Sequence, residues 1–151
     1  MKNIFKWYGF VVFIAVTQTG IAQQSRTTKP TLFSNYPSTI ICTENQLSDL
    51  FAVTQGQNIK LSLPGNLVLE GRVENKISKY GKMETLTVQL PSFGNLLFSV
   101  TKSNDENDQP VYTAHLFSNK YGDGYQLKRT GKNIYQFEKI EMEKMLPACN
   151  Q

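Results

Sequence analysis

Apolar residues recur with two different periods along the chain. In the first third, Leu47 and Leu50 lie at helical spacing, which is typical of a helix with one apolar face. Thr43 followed three positions later by Gln46 is a capping-box pattern, in which each residue satisfies a backbone donor of the other. We predict one helix over residues 44–54, with its apolar face packed on a sheet.

From residue 58 onward, the apolar residues recur at every second position. Leu86 and Val88, for example, flank Thr87, which is the pattern of a strand with one buried face. Turn residues such as those at 64–66 separate these segments, and no predicted helix is long enough to connect parallel strands. The seven predicted strands are residues 58–63, 67–76, 83–90, 96–101, 111–118, 125–129 and 134–140.

The order of these elements predicts a mainly β fold. Short strands that follow one another at intervals of about ten to fifteen residues are typical of an antiparallel meander. We therefore predict a meander of about seven strands that forms a curved sheet or a small barrel, with the one N-terminal helix over an open end or edge. A β-sandwich is the alternative. Gly71, inside the second predicted strand, indicates a bulge or a bend.

The first 22 residues have the composition of an export signal. Lys2 and Lys6 precede an apolar run, and small residues at positions 20 and 22 suit the pocket of a signal peptidase. The apolar run is about ten residues long, whereas a membrane anchor needs about 20. We predict a signal peptide over residues 1–22, a polar flexible leader over 23–38 with order beginning near Leu32 or Phe33, and a single β-rich domain over 39–151.

Export bears on the net charge and on the cysteines. Cleavage after Ala22 removes two lysines and no acids, so the formal net charge falls from +4 to +2, which does not indicate a nucleic-acid partner.

The two cysteines, Cys42 and Cys149, lie near the two ends of the predicted domain. An even number of cysteines in an exported protein favours a disulfide. Two separate thiols, or a reactive or metal-binding thiol, are the alternatives. The predicted location is secreted or periplasmic, with no membrane span after cleavage.

The sequence holds few of the motifs that mark catalytic or metal sites. It has one histidine, His115, and no H-E-x-x-H, C-x-x-C or G-x-S-x-G motif. By strand alternation His115 shares a face with Phe117, away from the core. The acids at 105, 106 and 108 indicate a solvated loop, with a weak cation site as the alternative. The turn at 119–124 lacks the repeated acids that a calcium loop needs around one cation. We predict no catalytic residue, no metal site, no cofactor and no enzymatic activity.

Aromatic residues are concentrated in the last three predicted strands. The segment 111–127 holds three of the seven tyrosines and the only histidine, and its glycine-rich stretch at 119–124 is interpreted as a hairpin turn. Aromatic rings that share one exposed face would form a surface for a sugar or an apolar ligand. The predicted ligand-binding residues are Tyr112, His115, Phe117, Tyr121 and Tyr125.

Several short segments resemble a group of exported bacterial proteins. They are F-S-N-Y-P at 33–37, Q-L-S-D-L-F at 46–51, L-E-G-R-V at 69–73 and H-L-F-S-N-K-Y-G-D-G-Y-Q-L at 115–127, with M-L-P near the end of the chain. Their arrangement is similar to that of small exported proteins of unknown function from Bacteroidetes-type bacteria. The resemblance implies a secreted or periplasmic single domain, and it implies no activity and no catalytic residue.

These features favour binding over catalysis. We predict an exported, non-catalytic binding or accessory domain, whose ligand is a protein segment, a glycan or an apolar molecule. The first alternative is an inhibitor or a pro-domain-like protein that blocks a secreted hydrolase. The second alternative is a small hydrolase, for which the sequence offers no identifiable pair of nucleophile and base.

Overall fold

The computed structural model describes residues 29–145. Their strands are β1 (Thr39–Thr43), β2 (Asn58–Leu63), β3 (Leu67–Lys79), β4 (Met83–Leu90), β5 (Leu96–Asn104), β6 (Pro110–Leu116), β7 (Asp123–Gly131) and β8 (Ile134–Glu141). The helical elements are α1 (Glu44–Leu50), a 3-10 helix (Pro91–Phe93) and α2 (Met142–Met145). None of the helices in the described range is long and apolar enough to cross a membrane. The predicted signal peptide and Cys149 lie outside the described residues.

All eight strands lie in one antiparallel sheet that curls into a half-barrel. Strands β2 to β8 follow one another as a meander, and β1 pairs with β8, so the order is β1-β8-β7-β6-β5-β4-β3-β2. The predicted mainly β meander is confirmed. The β-sandwich alternative is wrong, because a sandwich divides its strands between two packed sheets. The strand that the prediction lacked is β1, whose five residues are too few to show a period.

Helix α1 begins at the predicted capping box. The Thr43 hydroxyl accepts from the Gln46 N–H at 3.4 Å, and the Gln46 side chain accepts from the Thr43 N–H at 2.9 Å. The helix ends at Leu50, four residues earlier than predicted. Just beyond its end, the Lys76 ammonium of β3 donates to the Phe51 carbonyl at 2.6 Å. A contact from a distant strand, which a local pattern does not reveal, thus stabilises this end of the helix.

The concave side of the half-barrel is filled by the domain's own side chains. Alternate residues of the strands point inward, and Leu86, Val88 and Leu90 of β4 are all fully buried. Leu47 of α1 packs in the same core. Side chains therefore occupy the space inside the curve at the density usual for protein interiors, and this packing does not favour an apolar ligand held inside the sheet.

Strand β3 departs from regular geometry at two positions. The register against β4 shifts between Val73 and Asn75, so the bulge lies beyond Gly71 rather than at it. At Gly71 itself, a Cβ atom would overlap the carbonyl oxygen of Gln89 in β4. The glycine therefore permits a close approach of two backbones, which is the other common reason for glycine within a strand.

The segment Lys29–Ser38, here called the N-terminal strap, packs on the domain. Phe33 is fully buried, and its ring lies edge-on to Tyr125 with the ring centroids 5.2 Å apart. The Lys139 ammonium donates to the carbonyls of Phe33 and Tyr36, at 2.6 Å each. The described part of the predicted flexible leader is thus bound to the sheet, and the packed domain begins ahead of residue 39. Phe33 anchors the strap, and Leu32 and Tyr36 pack partly buried against the same core.

Candidate functional site

The five predicted ligand-binding residues do not share one face of the sheet. Tyr112 and Tyr125 point into the core and are 2% and 0% exposed. His115 and Phe117 lie on the convex side, and Tyr121 lies in the loop between β6 and β7. Successive side chains of a strand point to opposite faces. Tyr112 and His115 are three positions apart in β6, so their side chains lie on opposite faces of the sheet. The structure corrects Tyr112 and Tyr125 to core residues, and three of the five remain accessible.

The buried tyrosines stabilise the core and the N-terminal strap. The Tyr125 hydroxyl donates to the Pro37 carbonyl, and the Tyr135 hydroxyl accepts from the Tyr112 N–H at 3.3 Å. Burial, and then the nearby Asp123 carboxylate, raises the pKa of Tyr125 to about 12. The Tyr125 phenol therefore stays neutral in the folded protein at pH values where a tyrosine in an unfolded chain ionises.

We expect part of the alkaline unfolding of the domain to come from Tyr125. Its pKa is near 10 in an unfolded chain and about 12 in the fold, so the unfolded state releases the proton first and stability falls as the pH rises from 10 to 12. In Tyr125→Phe this loss of stability between pH 10 and 12 is absent. At neutral pH the variant is less stable than the wild type by about 1 kcal/mol, because it lacks the hydrogen bond to Pro37. Urea unfolding at several pH values measures both effects, and equal losses in the two proteins above pH 10 would contradict the assignment.

Phe117 and Tyr121, two of the three accessible predicted residues, line a shallow groove at one end of β5 and β6. We call it the Phe117 groove; its lining includes Asn95, Leu97, Phe117, Ser118, Lys120 and Tyr121. Its volume is about 240 Å³. Leu97, which the sequence analysis did not select, is 51% exposed, and the His115 ring lies edge-on to Phe117 with the centroids 5.5 Å apart. The lining of the groove thus includes both apolar and polar side chains.

Two turns with defined backbone geometry shape the Phe117 groove. Gly94 and Asn95 both adopt left-handed backbone conformations, with φ of 65° and 60°. The Tyr121 hydroxyl lies 2.8 Å from the point where a Cβ of Gly94 would be, so a side chain at this position would displace the tyrosine. On the other side, the Tyr121 N–H donates to the Ser118 carbonyl at 3.1 Å. The Tyr121 hydroxyl therefore packs beside Gly94, and the Tyr121 backbone is held within its own turn.

Asp123, inside the predicted hairpin turn, is a buried clamp on the N-terminal strap. It is 4% exposed, and its carboxylate accepts from the N–H groups of Leu32 and Phe33 at 2.6 and 2.9 Å. Strand β7 already begins at this residue. A Cβ on the neighbouring Gly124 would lie 2.5 Å from that of Phe117, so this glycine serves close packing. The sequence analysis missed the clamp because an acid between two glycines has the pattern of an exposed turn.

His115 lies in a row of polar residues across the convex face. Ser99 of β5 and Gln126 of β7 are its direct cross-strand neighbours. A catalytic imidazole is usually oriented by a carboxylate, and in this row the residue beyond His115 is a neutral amide. The His115 ring itself packs against Phe117.

The acidic loop between β5 and β6 is held by its own backbone. The Asp105 carboxylate accepts from the N–H groups of Gln109 at 3.0 Å and Asn107 at 2.9 Å. The bond from Gln109 is the main reason that the pKa of Asp105 lies below its usual value. Between residues 29 and 145, no group of three or more His, Cys, Asp or Glu side chains is arranged to hold a metal ion.

Cys42 of strand β1 is buried and has no disulfide partner within residues 29–145. Burial raises the pKa of its thiol to about 11, which keeps the thiol protonated and unreactive at neutral pH. Its predicted partner, Cys149, lies outside the described residues, so the disulfide stays a prediction.

The resemblance to small exported Bacteroidetes-type proteins also stays a prediction, since it rests on short segments of the sequence. No protein-family model matches the chain, and neither a curated protein nor a solved structure matches it.

Proposed function

We propose that this chain is an exported, non-catalytic binding or accessory domain and that the Phe117 groove holds its ligand. The observation that carries the proposal is that Leu97, Phe117 and Tyr121 border one open groove, with Leu97 51% exposed. Apolar side chains grouped at a concave surface are typical of ligand sites. The predicted signal peptide supports a secreted or periplasmic location.

The composition of the groove favours a saccharide as the ligand. The ring of Phe117 can pack against the apolar C–H face of a sugar, as aromatic side chains do with other flat apolar surfaces. Around it, the Asn95 amide and the Ser118 hydroxyl each offer hydrogen-bond donors and acceptors, and Lys120 offers a donor. Sugar hydroxyls need both kinds of partner, whereas a purely apolar ligand would leave these groups without one.

We expect Leu97→Asn and Phe117→Ala each to weaken saccharide binding about tenfold or more, because each removes central apolar contact area. An array of printed oligosaccharides identifies the strongest binder, and isothermal titration calorimetry with that saccharide then measures the Kd of each variant. Leu97→Asn is the sharper test, since a half-exposed side chain contributes little to folding.

Tyr80→Asn is the matched control, because Tyr80 is an exposed aromatic residue in a different hairpin, between β3 and β4. It should bind the saccharide with wild-type affinity. A chain that binds no saccharide on the array would contradict the proposal, as would a Kd of Leu97→Asn equal to that of the wild type.

A further inference from the structure

The hairpin between β3 and β4 ends in an unusual turn, here called the Tyr80 tip (Ile77–Met83). The Lys82 N–H donates to the Lys79 carbonyl at 3.2 Å, and the two central residues, Tyr80 and Gly81, have φ of 54° and 63°. These are the features of a type I′ turn, whose first central position favours Asn, Asp or Gly. A bulky aromatic residue in the left-handed region is strained, so a tyrosine at this position lowers the stability of the turn.

Apolar side chains of the Tyr80 tip are exposed to solvent. Tyr80 is 93% exposed, Ile77 41% and Met83 36%. Ile77 and Met83 are near neighbours on the convex face, because Ile77 pairs with Thr85 and Met83 with Lys79. Three apolar residues are thus grouped at a protruding end of the sheet, where they form no core.

The charge around these apolar residues is mainly positive. Lys79 and Lys82 flank the turn and are exposed. Behind the turn lies a polar recess of about 220 Å³, whose lining includes Ser78, Lys82, Glu84, Lys102 and Asn104. The one acid of this recess, Glu84, already pairs with Lys76 at 3.2 Å, so Lys82 and Lys102 leave the recess electropositive.

We propose that the Tyr80 tip docks on the surface of a lipid bilayer that carries anionic headgroups. Tyr80, Ile77 and Met83 enter the interface between headgroups and acyl chains, where an amphipathic aromatic ring is favourable. Lys79 and Lys82 reach headgroup phosphates, as basic residues beside an apolar anchor do. The tip is convex, so it suits a soft surface that accepts protruding side chains without a matching cavity. This role is independent of the saccharide site, which lies on other strands.

The test uses the full chain and co-sedimentation with vesicles. We expect binding to phosphatidylcholine vesicles that contain phosphatidylglycerol, and much weaker binding to phosphatidylcholine alone. Tyr80→Asn should weaken binding to the anionic vesicles about tenfold. The double variant Lys79→Gln, Lys82→Gln should weaken it about twentyfold and reduce its dependence on salt. Inorganic phosphate and sodium chloride at equal ionic strength should weaken vesicle binding to the same extent, because the tip binds headgroups at a surface and not free phosphate.

A second measurement on Tyr80→Asn separates docking from folding. Asparagine tolerates the left-handed conformation, so the urea midpoint of this variant should rise by about 0.3 M while its vesicle binding falls. Ile134→Asn is the control, because Ile134 is an exposed apolar residue in a different hairpin, that of β7 and β8, and this variant should bind vesicles like the wild type. The proposal is overturned if the wild type does not bind anionic vesicles, if Tyr80→Asn binds them within twofold of the wild type, or if Tyr80→Asn is less stable.

Discussion

We expect Gly71→Ala to lower the free energy of unfolding by about 3 kcal/mol or more, the largest effect of a single methyl group in this domain. The added Cβ would overlap the Gln89 carbonyl oxygen and lie 2.9 Å from its carbonyl carbon. Both atoms belong to the backbone of β4, and a backbone within a paired sheet cannot move aside as a flexible side chain can. Relief of the overlap therefore requires separation of β3 from β4. Urea unfolding followed by circular dichroism measures the loss.

Gly131→Ala is the matched control for this prediction. Gly131 is also a strand residue, at the end of β7, but the nearest atom to its added Cβ would be the Ile134 Cβ at 3.9 Å, an ordinary contact. Its free energy of unfolding should stay within about 0.5 kcal/mol of the wild type. If Gly71→Ala were as stable as Gly131→Ala, this result would contradict the close approach of the β3 and β4 backbones at Gly71.

The second large effect is expected at Asp123, whose replacement by alanine should cost about 3–5 kcal/mol. The variant loses two hydrogen bonds to a charged acceptor and leaves the buried Phe33 N–H without its partner. The N-terminal strap should then detach more often, so chymotrypsin should cleave after Phe33 faster than in the wild type. Urea unfolding gives the energy, and the appearance of the shortened chain gives the cleavage rate.

Asp49→Ala is the control, because Asp49 is an exposed acid on α1. It should change the stability by no more than about 0.5 kcal/mol and leave the cleavage rate unaltered. An Asp123→Ala variant with near wild-type stability and a slow cleavage rate would show that the carboxylate does not hold the strap.

The strands and the start of the helix were predictable because their signals are local. The alternation of apolar residues in β4 and the Thr43–Gln46 capping box each depend on residues a few positions apart. The end of α1 was not predictable in this way, because Lys76, which donates to Phe51 just beyond it, belongs to β3. The pairing of β1 with β8 likewise joins two parts of the chain that no local pattern relates.

The candidate site was predictable only in part. Strand alternation correctly placed His115 and Phe117 on the face away from the core, yet the same alternation buries Tyr112. The set of five residues was therefore inconsistent with a single face. Leu97 was missed although the alternation of β5 exposes it, since Leu96, Phe98 and Val100 face the core. The predicted site contained only aromatic residues and His115.

The attachment of the N-terminal strap has a consequence for the order in which the chain folds. The strap and its partners Asp123, Tyr125 and Lys139 are 88 to 106 positions apart in the sequence. The hairpins from β2 to β8 can form between neighbours as the chain emerges, whereas the strap and β1 can dock only after β8 exists, since contacts between distant segments form late. During synthesis the N-terminal strap therefore has no docking site until β8 has been made. In an exported protein, this delay would keep the strap extended while the strands that follow it are translocated.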